Sequence, residues 1–302
     1  MSISDFYKMP SVGEGSGDQA GQRTGLSFEL FPPKTDKGDA ALFDHLQKLV
    51  QFQPDYVTCT YGAGGSTQNK TLDVISKVKQ EHGIPVASHL TVVGSTVEQL
   101  KAYLDEACQK GIDYIVALRG DPPQGDTEFK PVEGGLSYAN ELVELIRNQY
   151  ADLGIAVAGY PEKHREAPSM DVDLDNLKRK VDAGADIIIT QLFYDNADYF
   201  RFVDLCGDRG IDVPIVPGIL PVVSLQQIKR IASLCDARLP VDFVNQLENA
   251  GDDESQLNIG IDFATRQVEE LLEQQVRGLH FYVLNKSEST AKVLNQLNFQ
   301  KS

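Results

Sequence analysis

Glu29 stands between Phe28 and Leu30 inside an otherwise apolar, strand-like run. A carboxyl so placed loses water, and desolvation is expected to raise its pKa, which suits a general acid. Pairing with an arginine in a purely structural role is the alternative. Arg119-Gly120-Asp121-Pro122-Pro123 follows another apolar run. Gly-Asp-Pro-Pro is strong turn chemistry, but a guanidinium and a carboxylate gathered at one strand end are costly unless they hold something. Tyr61-Gly62-Ala63-Gly64-Gly65-Ser66-Thr67 lies between a strand and a helix. Such a loop can cradle a phosphate or let a flat ring approach the backbone. It lacks the P-loop lysine, and an ordinary turn fits as well. Tyr160-Pro161-Glu162-Lys163-His164 ends a further strand, and the helix after it carries Asn176, Lys178, Arg179 and Lys180. In an acidic chain this basic cluster is the candidate for a phosphate or pyrophosphate; a solvated face is the alternative, and the better one for Lys178. Gln191 closes Asp-Ile-Ile-Ile-Thr-Gln, where an amide could pair with a heterocycle that has donors and acceptors.

Other chemistries find little support. His45, His82, His89, His164 and His280 make no tight ligand spacing, so no metal site is expected. No Gly-x-Ser-x-Gly elbow occurs and no strand ends in lysine, which disfavours nucleophilic hydrolysis and Schiff-base chemistry. Cys59, Cys108, Cys206 and Cys235 form no Cys-x-x-Cys pair and read as free thiols of a reducing compartment.

Eight strand-like runs position these residues: 26–31, 56–60, 86–91, 114–118, 155–159, 187–192, 215–218 and 279–284. Between them, apolar residues recur every three or four positions, as in Leu42, Phe43, Leu46, Leu49 and Val50. Gly83, Gly111, Gly184 and Gly210 each follow such a stretch, where a left-handed helix cap is expected. Strands alternating with helices lie parallel, so their polar C-terminal ends share one face. The number of strands implies an α/β fold of the (β/α)8 TIM-barrel type, with extra helices over 240–275 before the last strand. An open dinucleotide-binding sheet would want Gly-x-Gly-x-x-Gly after the first strand, where Phe31-Pro32-Pro33-Lys34 stands instead. Residues 1–25 read as a flexible arm and 26–302 as one catalytic domain.

The 302 residues carry 28 Lys and Arg against 44 Asp and Glu, a net charge of −16, which argues against nucleic acid or an anionic membrane as partner. With no apolar N-terminal core and no run long enough to span a bilayer, a cytoplasmic protein is expected.

The blocks Ser27–Lys34, Thr60–Ala63, Ala117–Asp121, Leu177–Ala185, Thr190–Phe193, Pro217–Pro221 and His280–Asn285 together resemble 5,10-methylenetetrahydrofolate reductase, in order, from about Leu26 to the C-terminus. The resemblance implies a barrel that holds FAD at its strand ends, passes hydride from NADH or NADPH to the flavin, and then reduces methylenetetrahydrofolate on the same flavin face. It implies that Glu29 is the acid that opens the folate's five-membered ring, that Asp121 tunes flavin and pterin, and that Gln191 hydrogen-bonds the pterin. Tyr282 and Lys286 are the further folate-facing positions that the resemblance implies. The FAD contacts implied are Thr60, His89, Arg119, Gly120, Asp121, Tyr138, Ala139, Tyr160, His164, Asp173, Asn176, Arg179 and Lys180. Homo-oligomers are expected, as is the absence of control by a C-terminal S-adenosylmethionine domain. Two departures stand out. Leu225 replaces a bacterial Phe expected to stack on nicotinamide or folate, and Lys286 replaces an Arg for the folate's glutamate tail, so weaker or altered tail binding is expected. A flavin-free pterin-binding methyltransferase and a non-catalytic flavin- or folate-binding protein are the competing readings.

Overall fold

The structure, a computed structural model, describes residues 1–8, 24–33, 35–61, 68–122 and 129–299, with backbone only at 36, 37, 68 and 69. Lys34, the glycine-rich stretch 62–67 and Pro123 lie outside the described residues, as does most of the expected arm.

The strands are β1 (Gly25–Leu30), β2 (Tyr56–Cys59), β3 (Val86–Thr91), β4 (Tyr114–Leu118), β5 (Gly154–Gly159), β6 (Ile187–Thr190), β7 (Ile215–Val216), β8 (Gly218–Ile219) and β9 (Gly278–Tyr282). All pair in parallel, in the order β7-β6-β5-β4-β3-β2-β1-β9-β8. β7 and β8 are two halves of one stave. Pro217 sits between them and has no N–H for the ladder, while its carbonyl accepts from His280 N at 3.0 Å. β7 bonds β6 and β8 bonds β9, so the sheet closes into the expected barrel of eight staves.

Helices α1 (Asp36–Val50), α2 (Gln68–His82), α3 (Val97–Gln109), α4 (Ala139–Gln149), α5 (Met170–Asp182) and α6 (Asn196–Asp208) surround the first six staves. α7 (Leu225–Cys235), α8 (Val241–Glu248) and α9 (Asp253–Glu273) come before β9, and α10 (Ser287–Gln296) after it. Gly83, Gly111, Gly184 and Gly210 have φ of 65°, 72°, 114° and 66°, so the expected left-handed turns are present. The core is the layer between helices and staves, from Leu42, Leu46 and Leu49 of α1 to Val293 and Leu294 of α10.

The first residues differ from a loose arm. Ile3–Tyr7 form a 3-10 helix that plugs the N-terminal mouth of the barrel. Tyr7 is 1% exposed, and its hydroxyl donates to that of Tyr56 at 2.8 Å. Facing glycines make the slot for its ring. Gly25 and Gly278 are partners in the β1–β9 register, and a Cβ on them would lie 2.6 and 2.3 Å from Tyr7 Cε1.

Candidate active site

The opposite, C-terminal mouth opens into a cavity of about 900 Å³, within the range of ligand pockets. The polar strand ends converge there: Glu29, His89, Arg119, Gly120, Asp121, Tyr160, His164, Gln191 and Tyr282 all line it. Its outer wall is α7. Ile228 and Ala232 of that helix are buried, whereas Gln226, Arg230 and Leu234, at four-residue spacing, face the cavity beside Gln227, Ile231 and Cys235. Burial pushes the Cys235 thiol up to about 11; the Asp121 charge adds to the rise and Arg165 opposes it.

Glu29 lies on the floor, 7% exposed. Its Oε2 is 3.1 Å from His89 Nε2 and 3.8 Å from His280 Nε2. His280 Nδ1 meets Ser27 Oγ at 2.8 Å, and its Nε2 has no hydrogen-bond partner among the described residues. The register explains the cluster. Ser27 of β1 pairs with His280 of β9, and Glu29 with Tyr282, so residues of one parity point into the barrel. The expected raised pKa is therefore corrected. Burial does push the carboxyl up, but the two imidazoles beside it outweigh burial and hold it down to about 2. A single strand's sequence shows the desolvation and cannot show the histidines of its neighbours.

Arg119 is held in a fork: Nη1 and Nη2 donate to Glu166 at 2.6 and 2.8 Å, and its guanidinium lies 5.1 Å from the Phe129 ring centre. Gly120 has φ of 88°, and a Cβ there would lie 2.6 Å from Val93 Cγ1, so only glycine lets the backbone turn along the wall. Tyr160 and His164 are edge-to-face at 4.6 Å, and Asp173 accepts from the backbone N–H of His164 at 2.8 Å. Burial lowers the His164 pKa. Gln191 Oε1 accepts from Leu192 N at 2.9 Å, and the Tyr282 hydroxyl donates to Thr190 O at 2.7 Å. The Gln191 side-chain NH2 is thus left for a ligand acceptor.

The remaining expected positions are off this wall. Thr60 lies just past β2, and Tyr138 and Ala139 stand at the start of α4, with Tyr138 61% exposed. The basic cluster of α5 splits three ways. Lys178 pairs with Asp182, Arg179 donates to Asn176 Oδ1 at 3.1 Å, and Lys180 turns in to donate to Ala158 O at 2.6 Å. Burial holds the Lys180 ammonium down to about 8. Leu225 packs in the apolar cluster of Leu220, Val222, Ile228 and Phe243. It is not among the lining residues, and α7 presents Ile231 and Leu234 to the cavity. Lys286, at the start of α10, is exposed and is not among the lining residues. Sequence reading missed Ser27, His280, Arg165 and Arg230. For the first two, alternation in Ser-Phe-Glu and His-Phe-Tyr carried the signal; for Arg230, its spacing from Gln226 and Leu234 did.

A family model described as methylenetetrahydrofolate reductase matches residues 17–298. The chain is 40% identical to 5,10-methylenetetrahydrofolate reductase of Escherichia coli, covering 90% of each. It is also 40% identical to methylenetetrahydrofolate reductase (NADH) 1 of Arabidopsis thaliana, over 91% of this chain and 48% of the plant protein. The chain thus spans about half the length of the plant relatives it matches. Among solved structures, an uncharacterized Clostridium thermocellum protein that binds two copies of 5-methyl-5,6,7,8-tetrahydrofolic acid superposes with TM-score 0.64 at 16% identity, over 90% of this chain and 93% of that one. That likeness speaks to the fold.

Proposed function

The chain belongs to the methylenetetrahydrofolate reductase family, and we propose that it reduces 5,10-methylenetetrahydrofolate to 5-methyltetrahydrofolate with NADH or NADPH, by way of bound FAD. The observation that carries this reading is Glu29, buried on the floor of a ligand-sized cavity between His89 and His280. The residues present fit a flavin. The cavity has the volume for a flat ring, Gly120 brings backbone along its wall, and His89, His164, Tyr160 and Gln191 would supply polar contacts. Tyr138, Ala139, Asp173, Asn176, Arg179 and Lys180 would take the rest of an extended cofactor, beyond the cavity. FAD bound there supplies a two-electron store, reduced by the nicotinamide and emptied onto the folate.

The protein's own part is proton placement. In the open cavity Glu29 is a carboxylate hydrogen-bonded to His89 Nε2. Filling the cavity with aromatic rings expels water, and dehydration penalises a carboxylate. A proton drawn from solvent as the rings enter then settles on Glu29 Oε2, 3.1 Å from His89 Nε2, leaving a neutral acid. From there it goes to the ring nitrogen of the folate as that C–N bond breaks, giving the iminium that accepts hydride. Gln191 orients the pterin, and Asp121 sets the local field from the rim. Homo-oligomerisation belongs to the same reading.

The test is an anaerobic half-reaction. NADH or NADPH should bleach the flavin in both wild type and Glu29→Gln, and methylenetetrahydrofolate should recolour only the wild type. Full folate turnover by Glu29→Gln ends the acid role, and a protein that stays colourless with added FAD ends the flavin.

A further inference from the structure

Three arginines line the cavity: Arg119, Arg165 and Arg230. Arg119 is taken up by both oxygens of Glu166. The guanidiniums of Arg165 and Arg230 make no ion pair or hydrogen bond among the described residues. They reach the cavity from different elements, Arg165 from the loop after β5 and Arg230 from the middle of α7. In a chain of net charge −16, four of the seven other arginines among the described residues have carboxylate partners: Arg147 with Asp186, Arg201 with Asp198, Arg209 with Asp171 and Arg238 with Asp198. Two unneutralised guanidiniums on the wall of one cavity are suited to a flexible anion that enters after the resident group. Lys286, expected to meet such a tail, stands off the wall.

Resting on the reductase reading, we propose that Arg165 and Arg230 anchor the anionic tail of the exchanging ligand. The shared chemistry is a doubly or multiply charged oxyanion, either the dinucleotide's pyrophosphate or the folate's γ-glutamyl carboxylates. Both ligands carry their charge at a distance from the reacting ring, so the pair would act on binding and leave the chemical step alone.

The test uses FAD-loaded enzyme carrying Arg165→Gln, Arg230→Gln or both. One arm measures NADH oxidation with a quinone acceptor. The other measures reduction of methylenetetrahydrofolate with one glutamate and with three. The double variant is expected to raise KM about tenfold or more in at least one arm, the loss of charge-assisted bonds, with kcat within about twofold. The wild-type KM should also climb with salt more steeply than that of the double variant. An effect on NADH alone identifies the pyrophosphate; one that grows with glutamate number identifies the folate tail. Unchanged KM in both arms overturns the proposal. So does loss of FAD from the double variant, which would give the arginines to the resident cofactor, or a larger folate effect from Lys286→Gln. Failure of the parent reading is distinguishable, because the wild type itself would then not turn over folate.

Discussion

The Tyr7 plug makes a quantitative prediction. A methyl group added at Gly278 would lie 2.3 Å from Tyr7 Cε1 and 2.7 Å from Cδ1, inside van der Waals contact. The ring has little room to retreat, since its hydroxyl is tied to Tyr56 and it is 1% exposed. Overpacking of this kind costs about 1–3 kcal/mol. Tyr7→Ala should cost about 3–5 kcal/mol, the range for losing a large buried aromatic. The two effects should not add. With the ring gone, the Gly278→Ala methyl enters the space the ring left, so its own penalty should fall below about 0.5 kcal/mol. The assay is urea unfolding of the four proteins of the cycle, followed by far-UV circular dichroism. A coupling of about 1–2 kcal/mol in the compensating direction is expected. Additivity within about 0.5 kcal/mol would show that Gly278 is small for another reason, and the slot would be refuted.

Other outcomes follow from the site. Glu29→Gln should lower folate turnover by about 10²–10⁴-fold, the usual worth of a positioned acid, with flavin reduction retained; stopped-flow absorbance separates the two steps. His280→Asn should raise the Glu29 pKa, because one of the two imidazoles that hold it near 2 is removed. A depressed carboxyl stabilises the fold above its unfolded pKa, and that stability is lost as pH falls from about 4.5 toward 2. Stability should therefore fall less between pH 5 and pH 2 in His280→Asn than in wild type; equal acid unfolding curves would remove His280 from the cluster. Lys180 has the opposite sign. Its folded pKa of about 8 lies below the ordinary lysine value of 10.5, so the fold bears the cost of a buried charge below pH 8 and is relieved of it toward 10.5. Wild type should gain stability over Lys180→Met by about 3 kcal/mol across that window, and a difference that does not change with pH would contradict the burial argument.

The barrel was legible because its signals are local. Each helix carries its own apolar stripe, and four of the glycines that close helices have the positive φ that their place after a helix implies. The strands end on polar residues, and those ends do meet in one cavity. What escaped was set by partners far off in the chain. Met1–Lys8 contains no long apolar run, yet Ile3 and Tyr7 are buried, because the slot that takes Tyr7 is built by glycines 18 and 271 residues later. Pro217 breaks the seventh stave, and only its neighbours β6 and β9, each bonding one half, keep the barrel closed.

The same distinction governs the site. Glu29 was recognisable as chemistry because a carboxylate inside an apolar strand has a desolvation cost that packing alone does not repay. Its protonation state was not, because that depends on which staves flank β1. β9 places His280 beside it, and β3 places His89 across the barrel floor. An acid held near 2 donates poorly at neutral pH unless its surroundings change during the reaction. Of the two imidazoles that depress it, His89 stands 3.1 Å away, within hydrogen-bonding reach of the carboxyl. Dehydration by the incoming rings favours neutral partners over charged ones, so ligand binding itself would load the acid. A Glu29 carboxyl that stays ionised with flavin and a folate analogue both bound, as read by infrared difference spectroscopy, would break that link even if Glu29→Gln is inactive.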